Sequence, residues 1–151
     1  MIIRDATTND WKDIKRLMVD FANFNPVEDL RQPEYNERHT DSVLFTLSKQ
    51  GMMLVAEDNE RVLGMLLASL IGDTWLPHKV RMVEVAWWVE TDYRKTTAGA
   101  RLLKEYIARG VAMKEAGTIS SFTLTTLATT PDLKLQDRGW EVIDYNWIYR
   151  G

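Results

Sequence analysis

The chain has 151 residues, 45% of them hydrophobic and 27% charged, a size and balance that suit one globular domain (1–151) with a real core rather than a disordered chain. It contains no cysteine, which excludes a disulfide scaffold, a thiolate zinc site and a cysteine nucleophile. The formal charge of −3 argues against a nucleic-acid binder that relies on overall charge, and it divides unevenly: residues 1–60 carry 7 bases and 12 acids, the remainder 12 bases and 10 acids.

Residues 1–6 suit a short strand, after which Thr7, Thr8 and Asn9 offer caps for a helix. Trp11, Ile14, Leu17, Met18, Phe21 and Phe24 recur at helical spacing, and Asn25-Pro26 closes the run. A weaker helical pattern spans about 34–49 and ends at Gly51. Met52 to Glu57 and Arg61 to Ile71 follow as strands joined at Asp58-Asn59, the second apolar on both faces and so expected in mid-sheet. Beyond a loop with Gly72, Asp73, Pro77 and His78 come a strand at 81–90 and a helix at about 99–115 stopped by Gly117. A Thr-rich strand at 118–126, a short helix at 131–138 opened by Pro131, and a final strand or strand pair at 140–149 complete a mixed α/β order. The longest apolar stretch, Val62 to Ile71, is about half the ~20 residues of a membrane helix, and the N-terminus lacks the pattern of a secretory signal, so a soluble, cytoplasmic protein is expected.

Chemistry concentrates between residues 83 and 103. A buried strand runs into the small residues Thr96, Thr97, Ala98, Gly99 and Ala100, which open a helix; free N–H groups and the positive dipole end there can cradle phosphate oxygens. Arg94, Lys95, Arg101, Lys104, Arg109 and Lys114 line the same stretch, as an anion-binding surface or as a solvated helix face. Glu84 sits inside an apolar strand, where desolvation raises a carboxyl pKa toward neutrality and makes a general base; a structural pairing with Arg81 is the alternative. Strict alternation puts Glu84 on one face with Ala86, Trp88 and Glu90. His39 and His78 lack metal-ligand spacing and suit surface positions, and Trp11, Trp75 and Trp88 are candidates to wall a pocket. No metal site is expected.

The segment Arg94-Lys95-Thr96-Thr97-Ala98-Gly99 resembles the Q/R-x-x-G-x-G/A signature of the GNAT superfamily of N-acetyltransferases, with Thr97 in place of the middle glycine. Trp88-Val89-Glu90-Thr91-Asp92-Tyr93-Arg94 is similar to the family's V-x-P-x-Y-R, Ile3-Arg4-Asp5-Ala6-Thr7 with Asp10 to its opening, and Arg138-Gly139-Trp140-Glu141 to its K/R-x-GF. Glu84 followed by paired tryptophans also resembles GNAT-like proteins of tailed phages. The resemblance implies a mostly antiparallel central sheet flanked by about four helices and splayed between its fourth and fifth strands. It further implies acetyl-CoA as co-substrate, its pyrophosphate on the amides of Lys95, Thr96, Thr97, Gly99 and Ala100 after Arg94, and its pantetheine arm along Trp87, Trp88 and Val89. A β-branched Thr97 would be strained there if that position required φ > 0. The implied reaction is direct attack by a primary amine, on a small molecule or a protein lysine or N-terminus, with Glu84 as base; the acidic first half hints at a cationic acceptor. The family's usual acid, a tyrosine four residues before the late glycine, falls on Leu135 here. A weakly active or inactive acyl-CoA-binding module acting through protein partners is the alternative; relatives often form homodimers through terminal strands, and the sequence leaves the oligomeric state open.

Overall fold

The computed structural model describes residues 1–26, 28, 31, 36–127 and 130–149. Strand β1 (Ile2–Asp5) leads through a 3-10 turn, Thr8–Asp10, into helix α1 (Trp11–Asn23). Helix α2 (Glu37–Gln50) follows, its start capped by the Asn36 side chain, which accepts from the His39 N–H; the expected helical residues 34 and 35 lie outside the described ones. Strands β2 (Gly51–Asp58), β3 (Arg61–Gly72) and β4 (Val80–Val89), helix α3 (Ala98–Glu115) and strand β5 (Ser121–Thr123) complete the order. The sheet runs β1-β2-β3-β4-β5, antiparallel until the parallel pair β4/β5. None of the described helices is long and apolar enough to cross a membrane.

Mid-sheet β3 is buried from Val62 to Ala68 and feeds two apolar layers. On one face Leu54, Leu66 and Met82 pack against Leu102, Leu103 and Tyr106 of α3; on the other, Val55, Met65 and Leu67 pack against Ile14, Leu17, Leu44 and Leu47 of α1 and α2. Ion pairs pin the edges. Arg4 holds both oxygens of buried Asp10 at 2.8 Å and reaches Glu57 on β2, and this guanidinium lowers the Asp10 carboxyl to about 2. Glu90, just past β4, binds Arg16 of α1 and Arg61 of β3.

Four local expectations change, each for a stated reason. The β2–β3 hairpin turns at Asn59-Glu60 rather than Asp58-Asn59, because both residues take φ > 0 (49° and 61°) as a twisted two-residue turn requires. The Thr-rich strand is three residues long instead of nine. Side chains take its backbone groups: the Tyr106 hydroxyl donates to Thr123 O at 2.7 Å, and the Thr125 N–H donates to Glu84 Oε2 at 3.2 Å. The helix at 131–138 shrinks to a 3-10 turn, Gln136–Arg138, because the Lys134 N–H bonds the Asp132 side chain and Lys134 itself takes φ 52°. Residues 140–149 form no strand, since a three-residue β5 offers no ladder to join, and Ile143, Tyr145, Trp147 and Tyr149 alternate with polar or less exposed residues in the open.

The close approach of α3 to β5 depends on Gly110. A Cβ there would stand 2.8–2.9 Å from the Phe122 ring, which is itself held edge-on by Tyr106 and Trp140. Gly110→Ala gains about 1 kcal/mol of helix propensity but overpacks a fixed ring at a cost of about 1–3 kcal/mol. The expected result is a net loss of about 1 kcal/mol in a urea titration; an unchanged or higher midpoint would show that Phe122 can move.

Candidate active site

β4 pairs with β3 along its length but with β5 only at Arg81, Met82 and Val83. From Glu84 onward its second edge has no strand beside it among the described residues. The β3–β4 register also shifts: Leu67 faces Ala86 and Ala68 faces Glu84, which leaves Val85 as a bulge without a partner. The side chains therefore change face at Val85. Met82 belongs to the α3 layer and Glu84 stands near Tyr106, whereas Ala86 and Trp88 pack in the α1/α2 layer and Trp87 and Val89 return to the α3 side. Alternation in the sequence, which groups Glu84 with Ala86 and Trp88, fails at this one residue.

Where β4 and β5 part, a cavity of about 660 Å³ is lined from both layers: Trp87, Val89 and Leu103 on the α3 side, Phe21, Phe24 and Trp88 on the α1 side. Glu84 lines it as well, only 8% exposed. Burial pushes its carboxyl up to about 7, against the opposing pull of the Thr125 N–H. Near neutrality this group can both take and give a proton. No cation pairs with it, Arg81 included, among the described residues.

The proposed phosphate cradle begins after a 3-10 turn, Thr91–Tyr93, and opens α3. Thr97 sits at φ −81° and ψ 1°, so the threonine in the family's glycine position is unstrained. The Thr96 N–H is committed to Tyr93 O, and the Ala98 N–H to the Thr96 hydroxyl. The N–H groups of Lys95, Thr97, Gly99 and Ala100 have no acceptor among the described residues. Thr96, Gly99, Ala100 and Arg94 line the cavity along with Trp87, Trp88 and Val89; Lys95, Thr97 and the buried Ala98 lie beside it.

Arg94 is placed unlike a free anion ligand. Its Nε–H donates to Val89 O at 3.2 Å, and its guanidinium stacks 4.1 Å over the Trp88 ring and 4.4 Å over the Phe24 ring. Of the other bases in this stretch, Arg101 donates to Met1 O and Arg109 binds Asp5 and Glu105, so half of the basic run is internal structure.

Other sequence candidates fall elsewhere. His39 and His78 are exposed and away from the cavity, Trp75 is 86% exposed on the β3–β4 loop, and Trp11 lines a separate cavity beside Lys49 and Met113. Leu135 packs at the margin of the α3 layer, and Tyr106 is buried with its hydroxyl bonded and its pKa raised by that burial, which leaves no tyrosine among the described cavity-lining residues. Sequence reasoning missed Phe21 and Phe24 as site residues, because their helical spacing marks core equally well; it missed Thr125 and Thr126, which no motif announces, and Arg138, whose motif carried no site role. Among the described residues no group of three or more His, Asp or Glu could hold a metal ion.

The model of the Acetyltransferase (GNAT) family matches residues 11–132. Solved structures with the same fold include a transcriptional regulator from Bacillus halodurans C-125, 20% identical, with TM-score 0.70 and 99% of each chain covered. A ribosomal-protein-alanine N-acetyltransferase from Brucella melitensis biovar Abortus 2308 is 14% identical, with TM-score 0.72 over 99% of this chain and 97% of that one. An aminoglycoside acetyltransferase from an uncultured soil metagenomic sample is 15% identical, with TM-score 0.65 over 99% and 98%. No curated protein matches the chain significantly.

The raised carboxyl has a consequence for stability. A pKa higher in the folded chain than in the unfolded one favours folding below the unfolded value of 4.5, and that advantage is lost as pH rises through about 7. Glu84→Gln keeps an acceptor for Thr125 and removes the buried charge. It is expected to be more stable than the parent at pH 8 by roughly 2–3 kcal/mol and nearly equal at pH 4, as thermal melts at the two pH values will report.

Proposed function

Because the chain belongs to the GNAT acetyltransferase family, we propose that it is an N-acetyltransferase that passes the acetyl group of acetyl-CoA directly to a primary amine in a ternary complex. The observation that carries this reading is Glu84: a buried carboxyl held up to about 7, on the wall of a cavity lined from both layers at the β4–β5 parting. The free N–H groups of Lys95, Thr97, Gly99 and Ala100 suit a pyrophosphate, with Thr96 and Ala98 shaping the turn and Arg94 at its start. The unpaired edge of β4 at Trp87 and Trp88 suits the amides of a pantetheine arm. The Val89 carbonyl, by contrast, is already engaged by Arg94.

An amine can attack only with its lone pair free. Glu84, ionised above about 7, accepts the proton that leaves nitrogen as the C–N bond forms and the thioester C–S bond breaks. With Leu135 in place of a tyrosine, the departing thiolate takes its proton from water. Holding both reactants at one parting of the sheet supplies most of the acceleration. By name, the Brucella and metagenomic neighbours act on a ribosomal protein and on aminoglycosides, so the fold alone does not choose between a small amine and a protein lysine or N-terminus. The reading includes a homodimer, for which the exposed side chains Ile143, Tyr145, Trp147 and Tyr149 supply an apolar surface. A dimer in sedimentation that Trp147→Asp disperses is expected; a wild-type monomer refutes it.

The function is tested by following free thiol from acetyl-CoA with a panel of primary amines across pH 5–9. Turnover should rise through pH 7 in the parent, and Glu84→Gln should be slower by about 10²–10⁴-fold with that rise absent. Coenzyme A that raises the melting temperature without any thiol release would replace the enzyme by a binding module.

A further inference from the structure

With the N–H groups opening α3 and the free edge of β4 given to the cofactor, as proposed above, the α1 side of the cavity is left for the acceptor amine, and that wall has a chemistry of its own. The ring centroids of Phe21 on α1 and of Phe24 just past its end lie 5.9 and 5.1 Å from that of Trp88, and the Arg94 guanidinium carbon lies 4.1 Å from the Trp88 ring and 4.4 Å from the Phe24 ring. These are planar, apolar surfaces that stack well against a planar body. Two sets of donors in this wall lack acceptors. Trp88, 92% buried, has an indole Nε1 with no partner among the described residues, and the terminal nitrogens of Arg94 have none either. Buried donors are ordinarily satisfied, so an unpaired indole N–H on a ring that lines the cavity suits a ligand atom as its partner. The charges also discriminate. Glu84 is the single carboxylate among the described lining residues, while Arg94 and Arg138 are both cations. An acceptor carrying several ammonium groups would therefore meet like charge, contrary to the hint of a cationic acceptor in the acidic N-terminal half.

We infer that this site takes a primary amine carried on a flat, apolar, uncharged body with one hydrogen-bond acceptor, the body lying against Phe21, Phe24 and Trp88 and its acceptor atom meeting Trp88 Nε1 or Arg94. Selectivity thus resides in α1 and β4, and polyamines and aminoglycosides are poor fits. The inference rests on the transferase reading only for the side from which the acceptor enters.

The experiment is calorimetric titration of the full chain, with coenzyme A present, using phenylalanine amide, alanine amide and spermidine. The first two share an amine and a carbonyl and differ only in the ring. Phenylalanine amide is expected to bind about 30-fold more tightly than alanine amide, and spermidine to give no measurable heat. In Phe24→Ala, at a half-exposed position whose loss leaves the core intact, the ring's advantage should fall below about 5-fold. Trp88→Phe keeps a ring but removes the N–H, so phenylalanine amide should weaken severalfold while 2-phenylethylamine, which lacks the carbonyl, holds. Equal binding of the two amides, tighter binding of spermidine, or a ring advantage that survives Phe24→Ala would overturn the inference. Because these titrations require no turnover, expected binding without thiol release would sink the transferase reading alone. Thiol release fastest with spermidine would sink this inference alone.

Discussion

β4 pairs with β3 from end to end, interrupted only at Val85, and with β5 over only three residue pairs, and the site follows from that inequality. A fully paired β4 would have no free edge and no passage between the two faces of the sheet. The parting is held by side chains that occupy the backbone where more pairing would form: Glu84 accepts from Thr125, Tyr106 donates to Thr123. Glu84 is thus both a product of the gap and one of the groups keeping it open.

The bulge at Val85 adds a second consequence. With one residue left unpaired, Glu84 stays near α3 while Trp88 turns to α1, and both nonetheless line one cavity. The carboxyl and the aromatic wall are brought to opposite sides of a single opening. This is how one strand places a buried carboxyl, an unpaired edge and an aromatic wall within six residues. Burying the carboxyl is unfavourable when it is charged, and the structure carries that strain in its pKa instead of relieving it with a cation.

Arg94 shows how a motif position can be kept while its side chain is redeployed. The backbone around it forms the expected turn into α3, but the guanidinium lies on Trp88 and Phe24 and bonds the Val89 carbonyl. The phosphate-facing role proposed for this turn then falls to backbone N–H groups, which are indifferent to side-chain identity, and Thr97 at φ −81° is unstrained there.

Much was legible in the residues themselves. The helical spacing from Trp11 to Phe24, the doubly apolar β3 and the small-residue run opening α3 are local patterns, and local patterns are set by burial and backbone freedom over a few residues. Glu84 stood out as a carboxyl in an apolar strand, and burial bears that out. What the sequence could not state was anything that depends on which backbone groups are taken by distant partners. The length of β5, the unpaired segment 140–149, the face change at Val85 and the recruitment of Phe21 and Phe24 to the cavity all depend on contacts between residues far apart in the chain. The sequence by itself determined the element order as far as β5 and the family, and it singled out Glu84. Only the tertiary structure decided where the sheet opens and what walls the opening, because register and edge pairing are properties of two strands at once.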